Sequence, residues 1–200
     1  GKNLIENKMP EAHWLTEIME RGGKIVCITP EYSPSATKAD YWIPCRTGIS
    51  DTSIFLCLTK ILMDNKWYDA DFVKKFTDFP LLVRTDTLKR LKAEEVIADY
   101  KAPALDYSHK VQGMTQEQRD SIGDFVVYDS KTKSVKAITR EDVGKKMVSK
   151  GIDPALEGTF KVKTVDGKEI EVMTLFDMYK IHLRDFDVNT TAEITGSPPH

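Results

Sequence analysis

The segment Lys24–Asp51, KIVCITPEYSPSATKADYWIPCRTGISD, constrains the fold more than any other stretch of the chain. Its apolar run Ile25-Val26-Cys27-Ile28 is too short for a helix and rich in β-branched side chains, so it predicts a buried parallel strand. Thr29-Pro30 ends the run, because proline has no N–H to donate to a sheet. A second short apolar piece, Tyr41-Trp42-Ile43, precedes the turn Arg46-Thr47-Gly48 and then Ser50-Asp51 at a predicted helix start. Two strand ends and one helix N-terminus thus fall within one short segment. In open α/β sheets that is where nucleotide-like ligands bind.

The flanks support this reading. Upstream, Pro10-Glu11 opens a helix with an expected buried face of Ala12, Leu15, Ile18 and Met19, and Gly22-Gly23 ends it. A helix running so directly into a strand is the second half of a βαβ crossover, which calls for a parallel partner strand at Gly1 or before it. Downstream, Ser50 or Asp51 caps a helix reaching about Asn65, with Ile54, Leu58, Ile61 and Leu62 on one stripe. Asp69 caps a shorter helix over 70–76, and Leu81-Leu82-Val83 is a short strand or a packed loop.

From Thr85 to Asp124 the chain is polar and mixed in charge, with breaks at Pro103, Gly113 and Gly123, which predicts a long surface excursion. Hairpins are expected over 125–138 and, around Asp166-Gly167, over 159–173. Helices are expected over 140–150 and 175–184. The predicted fold class is α/β. Residues 1–84 form part of a doubly wound, mostly parallel sheet, 85–124 the polar excursion, and 125–200 an α+β insertion containing the hairpins.

Composition narrows the function classes. With 40% hydrophobic and 30% charged residues the chain is globular, and a formal net charge of -2 gives no footprint for nucleic acid. Gly1-Lys2-Asn3 shows neither a Met nor an apolar leader, which fits a cytosolic protein or an internal piece of a longer one. Cys27, Cys45 and Cys57 form no C-x-x-C pair and read as core thiols, and the scattered histidines give no metal-ligand spacing. Trp14, Trp42 and Trp67 are expected in the core, and the acidic pieces Glu94-Glu95 and Asp185-x-Asp187 on solvated faces. Asn189-Thr190-Thr191 matches a glycosylation sequon, a pattern frequent by chance.

Backbone groups and hydroxyls of Pro30-Glu31-Tyr32-Ser33 and Gly48-Ile49-Ser50-Asp51 suit a phosphate, and Asp51 suits a guanine-type edge. Neither turn carries a standard phosphate fingerprint, so an ordinary pair of strand-to-helix turns explains the same residues. Read from the residues alone, the chain is a nucleotide-like-ligand domain without a catalytic constellation.

Longer motifs add to this. Gly1-x-Asn3, Pro10-Glu11-Ala12-His13-Trp14, Thr29-Pro30-Glu31-Tyr32, Ala39-Asp40-Tyr41-Trp42 and the stretch from Phe76 to Val83 occur in that order. Together with the stretch 151–158 and Ala192-Glu193-Ile194-Thr195-Gly196, they resemble the catalytic α subunits of the DMSO reductase superfamily of molybdopterin enzymes. Within it, the likeness is to membrane-associated nitrate reductase and nitrite oxidoreductase.

The resemblance implies an internal fragment, inactive alone, of a subunit that interconverts nitrite and nitrate on a bis-molybdopterin guanine dinucleotide cofactor carrying molybdenum. The molybdenum ligand and the ligands of a 4Fe-4S cluster would lie upstream of Gly1. An iron-sulfur electron-transfer β subunit and a haem membrane-anchor subunit are the implied partners, and membrane association would run through them. The implied cofactor-binding residues are Asn3 at a first strand exit, Thr29, Pro30, Glu31, Tyr32 and Ser33 at a second, and Gly48, Ser50 and Asp51 at a guanine-binding turn. Two departures stand out. Thr29-Pro30-Glu31 replaces the Asp-Pro-Arg of many relatives, and Gly48-Ile49-Ser50-Asp51 is one residue longer than the common Gly-Thr-Asp. A relative acting on another oxyanion or a hydrocarbon, and a stand-alone binding domain, are the rival readings.

Overall fold

A computed structural model of the chain describes residues 3–105 and 107–199. Its first elements are α1 (Leu4–Asn7), α2 (Met9–Glu20), β1 (Val26–Ile28), β2 (Tyr41–Ile43), α3 (Ser50–Asp64) and α4 (Ala70–Phe76). Then follow β3 (Leu82–Arg84), α5 (Ala93–Val96), α6 (Tyr107–Val111), α7 (Gln116–Ile122), β4 (Phe125–Asp129) and β5 (Ser134–Ile138). The last are α8 (Lys145–Ser149), β6 (Thr159–Lys163), β7 (Glu169–Thr174), α9 (Leu175–Leu183) and α10 (Val188–Thr195). They form two compact units, Gly1–Lys66 with Leu183–His200, and Trp67–His182. These boundaries differ from the expected divisions at 84 and 124, because strand pairing joins β3 to the C-terminal hairpin.

In the first unit β1 and β2 pair in parallel, Val26 opposite Tyr41 and Ile28 opposite Ile43. The connection 29–40 supplies the crossover length that a parallel pair requires. At the amino ends of the strands, Lys24 Nζ lies 2.6 Å from Asp40 Oδ1, and Asp40 Oδ2 accepts from the Ile25 N–H. That mutual hydrogen bond raises the Lys24 ammonium and lowers the Asp40 carboxyl from their ordinary values. A further partner for β1 at or before Gly1 lies outside the described residues. With one neighbour among the described residues, β1 is not buried: Val26 is exposed, Cys27 and Ile28 half-buried.

The helices of this unit also differ from expectation. Ile49 is the N-cap of α3, and no side chain caps it. Ser53, Cys57 and Met63 are buried there, whereas Leu58 and Leu62 of the expected stripe are exposed. Small buried residues of α3 (Ser50, Ser53, Cys57) and of α10 (Thr191, Thr195) allow the two helices to pack closely. Helix α2 buries no residue, with Ile18, Met19 and Trp14 exposed. Asp187 caps α10 by accepting from the N–H groups of Asn189 and Thr190, so the sequon is helical and its Thr191 buried.

The second unit is antiparallel throughout its described strands: β7 pairs with both β3 and β6, and β4 with β5. Its core is Leu82, Leu91, Ala93, Val126, Val162 and Val172. Leu91 and Ala93 come from the expected surface excursion. The Leu91 N–H donates to Leu82 O and the Ala93 N–H to Asp124 O, drawing both side chains inside. Asp69 caps α4 as expected, accepting from the Phe72 N–H at 3.0 Å. Both hairpins form, the second with Gly167 at φ +85° in its turn. The helix expected over 140–150 shortens to α8, because Asp142 anchors a loop by accepting from the Thr139 N–H and Gly144 takes a positive φ of +54°. Trp67 is exposed rather than buried.

Asp129 organises the loops beside β4. It is almost wholly buried and accepts from the N–H groups of Lys131, Thr132 and Asp153 and from the Thr132 hydroxyl. Burial pushes its carboxyl upward, but these hydrogen bonds overcome that push and hold it below the ordinary aspartate value. The stabilisation is therefore fully present above the unfolded value of about 3.9 and is lost as pH falls through the lower folded value. Asp129→Asn should lower the urea midpoint at neutral pH, and its gap to wild type should close as the pH is taken below about 3.9. Leu82→Ala, a truncation at a fully buried site, should cost about 3 kcal/mol in the same denaturation experiment.

Candidate functional site

The carboxyl ends of the two parallel strands lie side by side. The Thr29 N–H donates to Ile43 O at 3.2 Å, and Thr29 O accepts from Trp42 Nε1 at 3.2 Å. Trp42 in turn meets Tyr32 edge-on, ring centroids 4.9 Å apart, and Tyr32 is 60% exposed. This aromatic pair fixes the start of the connection where it leaves β1. Pro30 and Glu31 are exposed beyond it.

Ser33 turns the chain back. Its N–H donates to Glu31 O, its carbonyl accepts from the Thr37 N–H, and its side chain is buried. Ser35, also buried, donates its hydroxyl to Asn3 Oδ1 at 2.6 Å and accepts from the Ile5 N–H at 3.2 Å. Asn3 Nδ2 donates to Glu6. Asn3 thus stands extended just before α1 and is tied to the loop after β1. Sequence reasoning named Asn3 and Ser33 but missed Ser35; nothing in its spacing marks it.

The exit from β2 is built differently. Gly48 has φ +83°, a conformation that favours glycine, and a Cβ placed there would meet nothing within 4 Å. The turn surface is open. Ser50 is buried and donates its hydroxyl to Arg46 O at 2.5 Å, so it holds the turn together. Asp51 is exposed in the first turn of α3. The sequence places Arg46 in this turn without marking it as a site residue. Its N–H donates to Thr195 O at 2.7 Å, and its Nη1 donates to Glu193 O at 2.8 Å and Ile194 O at 3.1 Å.

The geometry therefore joins Asn3 to the loop after β1 and joins Thr29, Tyr32 and Trp42 at the strand exit. Gly48, Ser50 and Asp51 follow the neighbouring strand. Thr29, Glu31 and Asp51 offer a hydroxyl and two carboxylates, and Arg46, the cation of the adjoining turn, is engaged with backbone carbonyls. Two acceptor-only carboxylates beside one hydroxyl suit hydroxyl and amino groups of a ligand better than a bare phosphate. Burial raises the Cys27 thiol, and all three cysteines are free. No helix among the described residues is long and apolar enough to cross a membrane.

No family model matches the chain. It is 32% identical to perchlorate reductase subunit alpha of Dechloromonas aromatica, over 99% of its own length and 22% of that protein. It is 33% identical to chlorate reductase subunit alpha of Ideonella dechloratans, over 99% of its length and 19% of that protein. The respiratory nitrate reductase subunit alpha of Haloferax mediterranei is 29% identical over 98% of the chain and 19% of its own length. The chain thus spans about a fifth of the length of these curated relatives. Along nearly all of its residues it aligns with alpha subunits of molybdopterin oxidoreductases, and it belongs to the DMSO reductase family.

Proposed function

We propose that the chain forms part of the catalytic subunit of a molybdenum oxidoreductase acting on an oxyanion, with nitrite and nitrate as the pair it interconverts. The observation that carries this reading is the near-complete alignment with alpha subunits of oxyanion reductases. Its own role is to hold one guanine dinucleotide arm of the cofactor at the carboxyl ends of β1 and β2, which belong to a wider, doubly wound parallel sheet. When bound, the cofactor supplies oxygen-atom and two-electron transfer; the residues described here supply position. Taken alone, the chain is inactive.

The residues present suit such an arm. The absence of a side chain at Gly48 leaves the turn open for close backbone approach. The first N–H groups of α3 lack intrahelical acceptors and face a diphosphate favourably. Asp51, exposed at that turn, would accept from the N–H edge of a guanine. Thr29 and Glu31 would hold ribose hydroxyls, a role for which a carboxylate is better suited than for phosphate. Tyr32 and Ser33 shape the loop that carries them, Pro30 turns it out of the sheet, and Asn3 braces it through Ser35. Ser50 acts through Arg46 rather than on the ligand. In the whole enzyme, electrons would pass to an iron-sulfur subunit, with a haem subunit anchoring the complex at a membrane.

A second reading, reduction of perchlorate or chlorate, is favoured by the identities of 32% and 33% to subunits so named, against 29% to the nitrate reductase subunit. Assay of the full-length complex with nitrite, nitrate, chlorate and perchlorate separates the two. Turnover of the chlorine oxyanions without nitrite or nitrate carries the second. Asp51→Ala in the full-length subunit should lower bound molybdenum and guanine nucleotide, measured by elemental analysis and by nucleotide release. Unchanged content in that variant removes Asp51 from the site.

A further inference from the structure

The turn between β2 and α3 is clasped by the C-terminus of α10. Arg46 forms the centre of the clasp. Its backbone N–H donates to Thr195 O at 2.7 Å, and its Nη1 donates to Glu193 O at 2.8 Å and to Ile194 O at 3.1 Å. One residue thus serves three successive carbonyls at a helix end, where donors from the helix itself run out. A cation is also the charge that the negative end of a helix dipole favours. On its other side, Arg46 O accepts from the buried hydroxyl of Ser50, the first residue of α3. Gly48 lies between these two residues and Asp51 directly after them.

Gly196 makes room for the clasp. It follows α10 with φ +70°, the left-handed conformation in which glycine commonly ends a helix. A Cβ at this position would stand 3.2 Å from Arg46 Nε and 3.4 Å from its Cγ. The Arg46 side chain therefore lies against bare backbone, and a methyl group there would push it away from Glu193 O and Ile194 O. Ser197, the next residue, donates its hydroxyl to Pro44 O at 2.8 Å, so both sides of Arg46 are tied to the same helix end.

We propose that Arg46 and Gly196 are positioning residues for the guanine dinucleotide arm: by tying the turn to α10 they hold Gly48 and Asp51 in the geometry that receives it. The role rests on the cofactor reading above and extends it to residues that act through the turn rather than on the ligand.

The full-length subunit, loaded and cofactor-free, provides the test. Hydrogen exchange is followed over residues 44–55, together with the rate at which cofactor leaves the protein in dilute urea, read as guanine nucleotide in the filtrate. Loaded wild type should exchange more slowly over 44–55 than the cofactor-free form. Equal exchange removes the cofactor from this turn, and the positioning role falls with it. Where wild type shows the slowing, the variants test the clasp alone. Arg46→Ala should lose cofactor about tenfold faster, the equivalent of one charge-assisted hydrogen bond, and Arg46→Lys, which keeps a cation at the helix end, should fall between it and wild type. Gly22→Ala is the control for Gly196→Ala: Gly22 has a similar φ of +77° in the same unit, but an added Cβ meets nothing within 4 Å. Gly196→Ala should release cofactor faster than Gly22→Ala, whereas backbone strain alone makes the two alike. This pair decides whether or not Arg46→Ala folds. Wild-type retention by Arg46→Ala overturns the proposal. So does a Gly196→Ala that matches Gly22→Ala, which would mean that Arg46 touches the ligand itself or plays no part.

Discussion

The turn after β2 is held by the far end of the chain, and the candidate site depends on that hold. A helix ends with carbonyl groups that have no intrahelical donor, and its C-terminus carries partial negative charge. In α10 those carbonyls, Glu193 O, Ile194 O and Thr195 O, receive the guanidinium and the backbone N–H of Arg46. Ser197 completes the junction by donating its hydroxyl to Pro44 O. Ser50 then donates to Arg46 O, which sets the start of α3 and the direction of Gly48 and Asp51. Each bond is worth about 1 kcal/mol. Together they determine where the exposed carboxylate of Asp51 stands.

Local rules were legible in the sequence. Asp69 before the helical heptapeptide 70–76, Asp166-Gly167 between alternating strands, and the polar break between β4 and β5 all act over a few residues, and each formed where expected. What depends on distant partners was not legible. Arg46 could be placed in a turn, but its acceptors lie about 150 positions away. Leu91 and Ala93 sit among charged residues with no periodicity to mark them, and only the backbone bonds to Leu82 and Asp124 bring them inside.

Periodicity also says which face of a helix is apolar, not what covers it. Ile18 and Met19 of α2 and Leu58 and Leu62 of α3 share faces as expected, yet they are exposed here, as are Trp14 and Trp67. The buried side of α3 is marked by small residues instead, a pattern that hydrophobic counting does not weigh. The cofactor reading rested on motif order rather than on side-chain chemistry. Glu31 shows why: a carboxylate at a strand exit does not by itself announce a nucleotide.

The two units differ in how they are written along the chain. Trp67–His182 is continuous, while the other unit is assembled from residues on either side of it. A ribosome delivers residues in order, and domains fold as their sequence becomes complete. The continuous unit has all of its strands once β7 has emerged, at a time when the strands β1 and β2 still wait for α10. The turn after β2 therefore acquires its shape later than the continuous unit, and a nascent chain halted before residue 193 carries an untethered Arg46.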